Sequence, residues 1–277
     1  MVVQHNMRAM NSNRMLGLTA SAQTKSTEKL SSGYRINRAA DDAAGLSISE
    51  SMRRQIRGLT QASRNAQDGI SFAQTAEGAL SEVQDMLQRM NELLVQASNG
   101  TNNSTQVGYI NDEISNLKTE IDRIGSDTNF NGQKVFDSSN TRSIFVGADN
   151  TNAAKITIKA HDLKSSVLLK SLDISKKTKT ASANAAAQAN LTIVKKALET
   201  ISSYRSELGA KQNRFEHTIN NLDNVVENTT AAESRIRDTD MATEMVKFSN
   251  ANILAQAGQS MLAQSNQANQ GVLSLLQ

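Results

Sequence analysis

Along the stretch from Ser51 to Ser98, apolar side chains return at every seventh position: Leu59, Ala66, Ala73, Leu80, Leu87 and Leu94. Ile56 and Ile70 flank this row early, and Ala76, Val83, Met90 and Ala97 flank it later. Spacings of 3 and 4 put these residues on one stripe, which predicts a long helix packed in a coiled-coil-like bundle. Asn99-Gly100 then reads as a helix stop. A second helix follows from Val107, Ile110, Ile114, Leu117, Ile121 and Ile124, with Gly125 as its expected end. A third seam is carried by Val194, Ile201, Leu208, Phe215 and Leu222, partnered by Leu191, Leu198, Ile219 and Val226. Arg205 and Gln212 interrupt the partner row, so this helix is expected to meet something polar midway.

Between the second and third helices the period shortens. Lys134-Val135-Phe136, Ser143 to Val146 and Lys155 to Lys159 are short β-prone runs, punctuated by Asn131-Gly132 and by Gly147 to Asn150. They predict a small β-hairpin region, roughly 130 to 175, capping one end of the bundle. The fold class expected is mainly α: a long antiparallel helical coiled-coil or bundle rod with that hairpin region.

The last 28 residues, Asn250 to Gln277, contain no Asp, Glu, Lys or Arg. Ile253, Leu254, Ala257, Met261, Leu262, Val272, Leu275 and Leu276 are spread there among Gln, Asn, Ser and Ala. A solvated helix of this length normally carries charge, and so thin an apolar stripe does not hold a helix folded alone. This tail is therefore expected to order only against neighbouring copies of the chain.

Composition sharpens the picture. Proline, cysteine and tryptophan are absent and aromatic residues make up only 3%. Absent proline suits long helices, and absent cysteine excludes disulfides, thiolate metal sites and cysteine nucleophiles. The net charge is +3, with bases and acids interleaved, so no nucleic-acid partner is expected. The first 40 residues differ, carrying Arg8, Arg14, Lys25, Lys29, Arg35 and Arg38 against Glu28 alone. No apolar run is long enough to cross a membrane. The opening MVVQHNMRAMNSNRM lacks the apolar core and cleavage site of a secretory signal.

Candidate chemistry is sparse. His5, His161 and His217 stand without a second ligand at metal spacing. Asp41-Asp42 reads as a turn and helix cap rather than a catalytic pair. The glycines of QDGISFAQTAEG lie in a helical pattern with no preceding strand, so no phosphate loop is indicated. Lys176-Lys177-Thr178-Lys179 reads as a solvated linker. No enzyme activity, cofactor or metal is expected.

Several long blocks resemble the terminal regions of bacterial flagellins. They are KLSSGYRINRAADDAAGLSISESMRRQIRGL from Lys29, NAQDGISFAQTAEGAL from Asn65, and the whole stretch from Thr230 to Gln277. The opening VQHNMRAMN and GAKQNRFEHTINNL near 209 to 222 resemble the family too. The resemblance implies a secreted, extracellular subunit of the flagellar filament, exported unfolded and assembled at the distal tip. Its two ends, 1–43 and 237–277, would pair as a coiled coil in the filament core. Residues 44–236 would form the rod domain with its connecting spokes, and no outer variable domain is left. Met7, Met10, Leu18, Ile253, Leu254, Met261, Leu262, Val272, Leu275 and Leu276 would pack that core. The partners implied are sister copies, an export chaperone on the C-terminal tail, hook–filament junction and cap proteins, and the vertebrate Toll-like flagellin receptor. For that receptor the segment Gln88 to Gln96 matches the family's recognition motif at Arg89, Glu92, Leu93 and Gln96, with Glu113 from the adjacent helix. Arg89, Leu93 and Gln96 are spaced so that one helix face can present all three. The motif departs from the family pattern at Met90 and Asn91. The other reading weighed is a hook–filament junction protein, which shares flagellin-like ends.

Overall fold

The computed structural model describes residues 6–137, 141–148, 154–164, 168–169 and 180–274; of 180–186 and 269–274 it describes the backbone. His5, Lys176 to Lys179, Leu275, Leu276 and parts of the 130–175 region lie outside the described residues, as does the Val272 side chain. Five helices are described: α1 (Met7–Ser32), α2 (Ala43–Ala97), α3 (Ser104–Asp127), α4 (Thr180–Arg237) and α5 (Met241–Ser274). Four short strands lie between α3 and α4: β1 (Asn129–Phe130), β2 (Gln133–Lys134), β3 (Arg142–Phe145) and β4 (Lys155–Ile158). The chain forms two compact units, a terminal one of Met1–Ile56 with Glu227–Gln277 and a central one of Arg57–Val226.

In the central unit most of the expected seam residues form one main core, while Leu59 and Leu222 pack with Ala62 in a second, smaller cluster. Ala66, Ala73, Ala76, Leu80, Val83, Leu87, Met90 and Leu94 of α2 are buried with Ile114 and Ile121 of α3 and Val194, Ile201, Leu208 and Phe215 of α4. α2 and α4 run antiparallel, since Ser63 bonds Asp223, Gln212 bonds Glu77 and Arg205 bonds Gln84 at 2.8 Å. The polar interruption read at Arg205 and Gln212 thus meets Gln84 and Glu77, and Arg205 also reaches Glu77 at 3.6 Å. Asn103 and Gln106 begin α3 with reciprocal side-chain-to-backbone bonds, a capping box.

Gly125 does not end α3, which continues to Asp127. A Cβ at Gly125 would lie 3.3 Å from the Leu163 Cβ, so the glycine admits the strand-following segment close against the helix. Asn131 and Gly132 turn β1 into β2 with φ of 51° and 74°, as a two-residue antiparallel hairpin requires. The second hairpin pairs Arg142 with Ile158 and Phe145 with Lys155. The described part of the β region lies alongside α2 rather than over the bundle end. Phe130 meets Phe72 edge-on at 5.8 Å, the Asn65 amide bonds the Phe145 carbonyl, and Gly58 lies against Ala148. Val135 and Phe136 are buried beyond β2 instead of extending it.

In the terminal unit α1 and α5 pair antiparallel. Asn6 bonds the Ser265 carbonyl, Leu16 lies against Gly258, and Ser26 bonds Glu244. Between α1 and α2, Tyr34 bridges Asp238, the Arg35 N–H donates to the Arg237 carbonyl, and the Thr239 N–H donates to the Gly33 carbonyl. Ile36 is fully buried there. Asp42 caps α2, accepting from the Gly45 N–H at 2.8 Å. The Arg38 and Asn37 N–H groups hold the Asp41 carboxyl below its usual pKa. Both aspartates therefore serve the turn and the cap, through which this link enters α2.

Candidate interaction surfaces

The α1–α5 seam follows a strict alternation of 3 and 4. On α1 it runs through the half-buried or buried Ala9, Ser12, Leu16, Thr19, Gln23, Ser26 and Leu30, with Glu28 and Lys29 also half-buried beside it. On α5 it runs through Glu244, Phe248, Ala251, Ala255, Gly258, Leu262 and Ser265, with Asn252 also half-buried. This is coiled-coil spacing filled mostly by small and polar residues. Only Leu16, Leu30, Phe248 and Leu262 bring large apolar side chains into it; the other large apolar residues point elsewhere. Met7, Met10, Leu18, Ile253, Leu254 and Met261 are all about 60% exposed or more, from 58% for Met261 to 69% for Met7. Of the described residues expected to pack a filament core, only Leu262 reaches into the intrachain seam. Met15, Met245 and Val246 add to the uncovered surface.

One polar contact fixes the pair at its inner end. The Ser26 hydroxyl donates to Glu244 Oε1 at 2.7 Å, both residues being buried, and Lys247 Nζ donates to Oε2 at 3.1 Å. The Ser26 bond, aided by Lys247, holds the Glu244 carboxyl below its usual pKa despite burial. Nearby, the Arg237 guanidinium lies 4.8 Å over the Tyr34 ring and bonds Glu50 at 2.6 Å. Sequence spacing gives no hint of the Ser26–Glu244 and Arg237–Glu50 pairings, whose partners are 218 and 187 residues apart.

The second surface lies on α2 and α3. Arg89 donates to Glu113 at 3.0 Å and to Glu92 at 3.2 Å. Glu113 first, then Glu92, raises the Arg89 pKa further above its ordinary value. Arg89, Glu92, Gln96 and Glu113 are all exposed. Leu93 is not: it is 2% exposed and part of the core. The expectation that one face presents Arg89, Leu93 and Gln96 together is corrected on this point. A helix packed between two others buries a wider stripe than one heptad row, so Leu93 is drawn in beside Leu94. Met90 is buried as well.

Elsewhere, His161 lies on the Tyr204 ring at 4.4 Å and faces Glu207 at 3.9 Å. Burial pushes the Tyr204 hydroxyl up to about 12. Among the described residues no cluster of three or more metal-binding side chains forms, and no helix is long and apolar enough to cross a membrane.

Comparison with known proteins then places this architecture. Residues 3–141 match the bacterial flagellin N-terminal helical region, and residues 191–276 match the bacterial flagellin C-terminal helical region. A flagellin of Halalkalibacterium halodurans is 52% identical over 278 residues, covering all of both chains. A flagellin of Bacillus subtilis is 48% identical, again over the full length of both. A putative flagellar hook-associated protein from Vibrio parahaemolyticus shares the fold at a TM-score of 0.57 and 12% identity, covering 72% of this chain and 100% of that one. On matched residues at both ends and full-length identity, the chain belongs to the bacterial flagellin family.

Proposed function

We propose that this chain is the repeating structural subunit of a bacterial flagellar filament, outside the cell, and that it acts without catalysis. The observation that carries this is the orientation of the terminal helices. Their intrachain seam is mostly small and polar, whereas Met7, Met10, Leu18, Ile253, Leu254 and Met261 face away from it, uncovered. Covering each such side chain is worth about 1.5–3 kcal/mol, and identical copies offer the matching surface. Head-to-tail contacts of that kind that do not close produce an open helical polymer. Residues 1–43 and 237–277 would supply the filament core and 44–236 the rod around it.

The finer steps follow from the same physics. Terminal helices whose large apolar faces gain cover only on assembly travel unfolded through a narrow export channel and order at the growing tip, at a cost in contact free energy. An uncharged apolar tail needs cover before export, which fits a dedicated chaperone bound to the C-terminal segment. The hook–filament junction reading is less favoured, since the fold is shared with a hook-associated protein but the full-length identity is with flagellins. Seeded or salted-out full-length protein viewed by electron microscopy should form long filaments. Soluble monomer or amorphous precipitate under both conditions would overturn the reading.

A recognition role for the Toll-like flagellin receptor is proposed for Arg89, Glu92, Gln96 and Glu113, with Leu93 supporting them from beneath. Their exposure and the Arg89 ion pairs to two helices favour it. Direct binding with Arg89→Ala decides, because unchanged affinity would remove the assignment.

A further inference from the structure

The sequence contains two Asn-Gly pairs, Asn99-Gly100 and Asn131-Gly132, and the structure treats them differently. Asn99 follows the end of α2 at Ala97 and is exposed, as is Gly100. Its own N–H donates to the Gln96 carbonyl at 3.2 Å, and its carbonyl accepts from the Asn102 N–H at 3.3 Å. Its side-chain Oδ1 accepts from the Thr101 N–H at 3.4 Å. That last bond closes an Asx turn, which folds the side-chain amide back over the intervening Gly100 nitrogen. Gly100 carries no Cβ to obstruct approach to that nitrogen. Asn131 instead sits at the tip of the β1–β2 hairpin with φ of 51°, held between the paired residues Phe130 and Gln133.

We infer that Asn99-Gly100 is a self-modifying site, at which the chain converts its own asparagine to aspartate and isoaspartate. The Gly100 nitrogen attacks Asn99 Cγ, forming a C–N bond and a five-membered imide as the Cγ–Nδ2 bond breaks; the Gly100 N–H proton passes through solvent to Nδ2, which leaves as ammonia. Water then opens the ring at either carbonyl, giving aspartate or isoaspartate, so the balance needs only water. The Thr101 N–H is placed on the oxygen where negative charge develops during the attack, the role of an oxyanion donor. The product puts a carboxylate at the C-terminal end of α2, where the helix dipole disfavours it. The isoaspartate form also lengthens the main chain by one carbon inside the turn that bonds Gln96. Old copies would therefore differ from new ones about two helical turns beyond Glu92 and three beyond Arg89.

The test follows both sites by peptide mass spectrometry in full-length wild-type protein. It is incubated in mildly alkaline buffer, folded in one arm and urea-unfolded in the other, with isoaspartate read by enzymatic methylation. In folded protein Asn99 should convert about tenfold faster than Asn131, the rate equivalent of one modest transition-state interaction. Unfolding should bring the two rates together, since both then sit in equivalent Asn-Gly contexts. Gly100→Ala should slow only the Asn99 site. Equal rates in the folded chain, or a faster Asn131, would overturn the inference, as would the same Asn99-to-Asn131 ratio in both arms.

Discussion

Leu93 offers the sharpest separation of packing from recognition, because it adjoins exposed Glu92 in sequence and yet is only 2% exposed. Replacing it with alanine removes the branched end of a side chain enclosed among α2, α3 and α4 core residues. Truncations of this kind cost about 2–5 kcal/mol, a large part of the roughly 5–15 kcal/mol that holds a domain together. With urea slopes of about 1–3 kcal/mol/M, the unfolding midpoint should fall by on the order of 1 M or more. Arg89→Ala is the paired control: its side chain is 51% exposed, so its midpoint should stay put. Urea unfolding followed by far-UV circular dichroism gives both midpoints, and receptor binding at low urea gives the second readout. Leu93→Ala should lose stability first and binding only as a consequence, whereas Arg89→Ala should lose binding with stability intact. A Leu93→Ala protein with an unchanged midpoint would refute the burial argument. So would an Arg89→Ala protein whose binding loss tracked an equal loss of stability.

Two helix glycines should respond with opposite signs. A Cβ at Gly69 would stand 2.7 Å from Ile144 Cδ1 and 2.9 Å from Phe215 Cζ, whereas one at Gly78 meets nothing within 4 Å. Gly69→Ala should lower the thermal midpoint, with about 1–3 kcal/mol of overpacking outweighing the helix gain; Gly78→Ala should raise it by up to about 1 kcal/mol of stability. Asn103→Ala removes half of the α3 capping box and should cost about 1 kcal/mol in the same melt. Glu244 sets a pH dependence on the terminal pair. Its folded pKa is depressed, so its contribution is present above the ordinary glutamate pKa and is lost as pH falls through the folded value. Filament growth should weaken on acidification below that range, and Glu244→Gln should flatten the response; an identical acid profile in the variant would exclude Glu244 as its origin.

The central unit was legible because its seams are written in large aliphatic residues at coiled-coil spacing. Leu80, Leu87 and Leu94 announce α2 in the same way that Ile110, Ile114 and Ile121 announce α3, and the break at Arg205 and Gln212 pointed correctly to a polar partner. Gly125 was misread because a glycine near a helix end serves either as a stop or as a place for close packing, and only the position of Leu163 distinguishes them. Leu93 was misread because the heptad count assigns one stripe per helix, while three-layer packing buries more. The terminal seam was hidden for a different reason. Ala9, Ser12, Thr19 and Gln23 carry little hydrophobic signal, while the large apolar Met7, Met10 and Leu18 mark the opposite face. The link around Tyr34 and Arg237 depends on partners from both chain ends, which local spacing does not encode.

Hydrogen exchange on the unassembled and the polymerised protein tests the central claim most directly. In dilute monomer, amides of 66–97 and 194–222 should be protected while those of Met7–Ser32 and Met241–Ser274 exchange quickly, their apolar faces having no cover. On polymerisation the terminal amides should become protected as well. Strong protection of both terminal helices in a dilute monomer that forms no filaments would contradict the account.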